Sequence, residues 1–79
     1  MKRKVPLLMK LGTNIRTLRE EKGLSQEQLA LASGLDRTYL GGVERGERNI
    51  ATINLCKIAF SLGVSPSIFL EGVTYDEHI

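Results

Sequence analysis

The sequence predicts an all-α fold of five short helices. Three observations carry that prediction. Apolar residues recur at helical spacing with no alternating stretch of useful length, capping residues stand directly before those stripes, and glycines close them. Leu8, Leu11, Ile15 and Leu18 form the stripe of a first helix, which Lys22-Gly23 ends with a cation and then a glycine. Leu24 is expected to pack under the connection. Ser25 offers an N-cap oxygen and Gln28, three residues on, completes a capping box. The second helix therefore runs through Leu29, Ala30 and Ala32 to Gly34, which takes positive φ at low cost. Only Gly34-Leu35 precedes Asp36, the cap of a third helix over 37–45 that Gly46 ends. Residues 47–50 read as a polar loop. Leu55, Ile58, Ala59 and Leu62 mark a fourth helix closed by Gly63. Ser65-Pro66 is the start of a fifth, carrying Ile68, Phe69 and Leu70 before Gly72.

Seventy-nine residues are expected to form one domain over 1–79, with a core of about 8–72 and an acidic tail over 73–79. A single cysteine excludes a disulfide framework and a four-ligand zinc site, and Cys56, one place off the inner stripe, reads as a small core residue. No metal or cofactor is expected, and His78 in the tail has no ligand partner. No apolar run approaches the roughly 18 residues of a membrane span. Lys10 cuts short the apolar stub after the basic start, which argues against a signal peptide and leaves the cytoplasm as the expected location. No paired carboxylates, nucleophile–base arrangement or phosphate loop point to an enzyme. Net charge is +2, but it is unevenly spread: +5 over residues 1–22, zero over 23–70 and −3 thereafter. A basic N-terminal segment suits a phosphate backbone and equally describes a solvated face.

Function turns on the second and third helices. Two helices joined by so short a turn form either a helix-turn-helix or an ordinary helical hairpin, and what the third helix exposes separates them. Leu40 and Val43 are expected inward, with Leu35 plugging the turn, leaving Arg37 and Thr38, with Tyr39 beside them, at the outward N-terminal end. In helix-turn-helix docking those positions meet base edges in the major groove. Arginine pairs bidentately with guanine, and a threonine methyl meets the thymine methyl. Gln26, opening the second helix, would lie close to a phosphate. Phe60, Val64, Ile68, Phe69 and Leu70 are more apolar surface than one short domain hides. They either complete the core or form a two-fold interface, and the interface is the preferred reading because it supplies stability to a small domain.

The strings Leu24-Ser25-Gln26-Glu27-Gln28-Leu29-Ala30, Ser33-Gly34-Leu35-Asp36-Arg37-Thr38-Tyr39-Leu40 and Val43-Glu44-Arg45-Gly46-Glu47-Arg48-Asn49 resemble the Cro/repressor helix-turn-helix family over about residues 11–70. Within it, the Leu-Asp-Arg-Thr-Tyr and Glu-Arg-x-x-Arg-Asn segments are similar to those of the controller proteins of restriction–modification systems. The resemblance implies a five-helix lambda-repressor-like DNA-binding domain acting as a homodimer on a two-fold symmetric operator. It places Arg37 and Thr38 at base-reading positions. It places Tyr39, Arg45, Arg48 and Asn49 against the DNA backbone or groove edges, and makes Arg19 and Glu44 an ion pair between helices one and three. Two departures stand out: the pair Gly41-Gly42, where members often carry a small polar residue or a glutamine, and Ala51, where a serine or threonine commonly caps helix four. The competing readings are a phage-type repressor, an antitoxin-like regulator, and a helical protein-interaction module without DNA binding. No small-molecule effector is evident.

Overall fold

A computed structural model of the chain describes residues 5–75, so expectations placed on 1–4 and 76–79, the basic start, most of the acidic tail and His78 among them, lie outside the described residues. The helices are α1 (Pro6–Glu21), α2 (Gln26–Ser33), α3 (Arg37–Glu44) and α4 (Thr52–Leu62), followed by a 3-10 turn over Pro66–Leu70. The first helix starts two residues before its apolar stripe because Pro6 occupies the opening position, where a missing N–H costs nothing.

The helix starts follow their caps. Ser25 Oγ accepts from the Gln28 backbone N–H at 3.1 Å, and Gln28 Oε1 accepts from the Ser25 N–H at 2.8 Å, so both halves of the capping box are made. Asp36 accepts from the Tyr39 N–H at 3.1 Å and opens α3. Ala51 gives α4 no side-chain cap, as its sequence implies. The four α-helices end alike. A glycine at positive φ (Gly23, Gly34, Gly46 or Gly63) follows each, and its N–H and the next residue's bond back to carbonyls of the last turn. Gly46 is needed twice over, since a Cβ there would also lie 2.7 Å from the Met9 Cα.

The core draws Leu11 and Ile15 from α1, Leu29 and Ala30 from α2, and Leu40 and Val43 from α3. Leu55, Ile58, Ala59 and Leu62 come from α4. Leu18, Leu24 and Leu35 pack at its edge, as their spacing predicts.

Three expectations are corrected here. The fifth helix is a 3-10 turn rather than an α-helix, so the described residues form four α-helices: the five residues of Pro66–Leu70 suit the tighter winding, and Glu71 is already extended. Asn14 of α1 holds this turn in place, donating through Nδ2 to the carbonyls of Phe69 at 2.9 Å and Glu71 at 2.8 Å. Cys56 is exposed, because one residue off the Leu55–Leu62 stripe is a turn of about 100° away from the core. The acidic tail does not begin at 73, since Val73 packs against the core.

Candidate nucleic-acid interface

A buried ion pair orients α3 from behind. Arg19 Nε donates to Glu44 Oε2 at 2.8 Å and Arg19 Nη2 to Glu44 Oε1 at 3.0 Å, a forked pair whose side chains are 9% and 2% exposed. A third guanidinium nitrogen, Nη1, donates to the Leu24 carbonyl at 2.7 Å. The hydrogen bond to Glu44 raises the Arg19 pKa above its already high ordinary value, with burial opposing it, so the guanidinium stays charged. Glu44 Oε1 also accepts from Gln26 Nε2 at 2.9 Å. One carboxylate thus joins the end of α3, the last turn of α1 and the start of α2.

That junction commits one N–H of the Gln26 amide inward. The residue's backbone N–H and second amide hydrogen remain at the start of α2, where the positive end of the helix faces anions.

The outer side of α3 carries the residues predicted to read DNA. Arg37 and Thr38 are both exposed in its first turn. Arg37 Nε lies 3.9 Å from Glu27 Oε1, a solvated pair that holds the guanidinium only weakly. Tyr39 is half-buried, packs against the core, and accepts a hydrogen bond through its hydroxyl from Asn54 Nδ2 at 3.2 Å. Arg45 pairs with Glu47 at 3.2 Å beyond the helix end, and Arg48 and Asn49 are exposed in the loop that follows. The structure therefore places Arg37 and Thr38 at one end of α3, Arg45 and Arg48 at and beyond the other, and Gln26 beside it at the start of α2.

The residues assigned to a two-fold interface separate into two groups. Phe60 is 88% exposed on α4 and Ile68 is 36% exposed on the 3-10 turn, with Leu70 two residues on at 51%. Phe69 is corrected: it is wholly buried and completes the core, because the 3-10 turn points it inward between α1 and α4. Val64 is half-buried against the core and can contribute only its edge.

Sequence reading missed Gly12, Asn14 and Asn54. Gly12 marks where α1 meets α3, for a Cβ there would stand within 3 Å of the Val43 and Glu44 carbonyl oxygens. Its signal is a glycine inside an otherwise good helix, which usually has a packing reason. Asn14 and Asn54 carry no such signal.

Among the described residues no three His, Cys, Asp or Glu side chains gather where they could hold a metal ion, and no helix is long and apolar enough to cross a membrane.

A short turn between capped helices, with the second helix locked behind and open in front, defines a helix-turn-helix domain. The chain belongs to the helix-turn-helix family, whose model matches residues 15–69. It is similar to the control protein C.MunI of a Mycoplasma species, at 43% identity over 66 residues, covering 82% of this chain and 89% of that one. Among solved structures it is similar to the restriction–modification controller protein C.AhdI from Aeromonas hydrophila. That match has a TM-score of 0.78 and 53% identity, covering 78% of this chain and 94% of that one. It is also similar to C.Esp1396I bound to a 19 base pair DNA duplex, with a TM-score of 0.77 and 43% identity, covering 87% and 92%. The likeness to controller proteins drawn from the sequence strings holds.

Proposed function

We propose that this chain is the controller protein of a restriction–modification operon, a transcriptional regulator that binds a two-fold symmetric operator as a homodimer in the cytoplasm. The observation that carries this reading is the contrast across α3: a buried ion pair at its back end, exposed Arg37 and Thr38 at its front. Arg37 and Thr38 read base edges. Gln26, Tyr39, Arg45, Arg48 and Asn49 fix register on the backbone and groove walls. The likeness to C.Esp1396I, a controller protein solved on a DNA duplex, supports DNA binding by the domain.

A mobility-shift assay on the region upstream of the chain's own gene tests the reading. Arg37→Ala is expected to cost about 1–3 kcal/mol on that DNA and to relax specificity. Equal loss on operator and random duplexes would reduce Arg37 to a phosphate contact. Absence of any salt-dependent binding by the unaltered chain would favour a protein-interaction module instead.

The dimer rests on Phe60 and Ile68, with Leu70 adjoining. Burying a phenylalanine contributes about 1.5–3 kcal/mol, so Phe60→Glu is expected to weaken self-association at least tenfold with little change in monomer fold. Sedimentation equilibrium measures it, and an unshifted dimer would move the interface elsewhere.

A further inference from the structure

Gly41 and Gly42 occupy the middle of α3, where glycine is the poorest helix former after proline. They lie four residues after Arg37 and Thr38, so each falls one turn along from a reading residue on the same face. Both are nevertheless buried. What covers Gly42 comes from beyond the helix. The three atoms nearest to a Cβ placed there all belong to Arg48: Cγ at 2.9 Å, Nε at 3.6 Å and Cδ at 3.8 Å. At Gly41 the nearest are Arg45 Nη1 at 3.2 Å and Gln26 Oε1 at 3.4 Å. The Gly42 carbonyl also accepts the Glu47 N–H at 2.8 Å, tying the turn that leads to Arg48 back to the same residue.

We propose that Gly42 is a positioning residue for DNA binding: its bare backbone seats the stem of Arg48 against α3, one turn behind Thr38. The Arg48 atom nearest that position is a stem carbon and the residue as a whole is exposed, as suits an arginine whose methylene stem lies on the helix while its charged head stays in water. An arginine already laid along the helix loses less freedom on meeting a phosphate or a base than one moving freely. The glycine pair is then no gap in the reading face, because its missing side chains are replaced by arginines arriving from the helix end. This inference rests on the DNA-binding reading above.

A double-mutant cycle tests it, with the unaltered chain, Gly42→Ala, Arg48→Ala and the double variant titrated on a duplex of the upstream region and on a scrambled duplex across a salt series. Arg48→Ala is expected to weaken operator binding about tenfold and to lower the salt slope by about 1. Gly42→Ala is expected to weaken it about 3- to 10-fold when Arg48 is present and less than about twofold when it is absent. Equal weakening in both backgrounds, or none in either, overturns the proposal. Thermal unfolding guards the comparison. If Gly42→Ala alone unfolds and the double variant folds, the clash is with Arg48 and the seat stands; if both unfold, the proposal falls. Failure of the unaltered chain to discriminate between the two duplexes would instead sink the DNA-binding reading, and the positioning role with it.

Discussion

Glu44→Ala is expected to remove about 3–5 kcal/mol of folding stability, because it strands the Arg19 guanidinium in a site made to pair it. Arg19 loses two forked hydrogen bonds and Gln26 loses the acceptor that fixes its amide. At roughly 0.05–0.15 kcal/mol per residue, a chain of this length has little to spare, so the variant should be largely unfolded at moderate urea. The sharper expectation is comparative. Removing both charges with Arg19→Met and Glu44→Met leaves no stranded ion and should cost less than the single change. Urea denaturation of the two variants decides it. A single variant as stable as the double would mean that water reaches Arg19 and that the pair is a surface feature, against its 9% and 2% side-chain exposure.

Gly12→Ala is expected to destabilise the fold by about 3 kcal/mol, although alanine is the better helix former by about 1 kcal/mol. The two effects have opposite sign, and the contact decides which wins. The added Cβ would be forced against the carbonyl oxygens of Val43 and Glu44, which are backbone atoms and cannot rotate aside. Relief requires α1 to move off α3, and that movement also pulls Arg19 from Glu44. The same substitution at Gly42 meets only a side chain, so it should be mild in thermal unfolding. Calorimetric melting of both variants checks the contrast. Near-equal Tm values would show that α1 and α3 are free to part at Gly12.

These two expectations rest on features that differ in how far they can be read from the chain. Ser25, Gln28 and Asp36 are legible because each acts on a backbone N–H within three residues. The glycine stops are legible for the same local reason. The Arg19–Glu44 pair follows from resemblance alone, since nothing in local spacing brings residues 25 apart together. Asn14 is further beyond reach: its partners lie 55 and 57 residues away, and an asparagine on a helix has many ordinary explanations. Phe69 fails for another reason. In a run of Ile68, Phe69 and Leu70 no period distinguishes the buried residue from its neighbours, and the 3-10 winding rather than the α-helical one decides which side chain enters the core. For the candidate interface, the sequence points to the arginines and the threonine, but not to the coverage of Gly41 and Gly42 by residues from outside the helix.

The capping of α3 by Asp36 and its anchoring through Glu44 leave Arg37 and Thr38 exposed, Arg37 in a solvated pair with Glu27. Substitutions at such exposed positions usually change stability by no more than about 0.5 kcal/mol. On the proposed reading of Arg37 and Thr38, a lineage of these chains can revise the DNA it prefers through single changes that cost the fold little. Two copies within one cell can diverge until neither answers to the other's promoter. The interlock behind the helix sets the pose, and what that pose addresses is left open to selection.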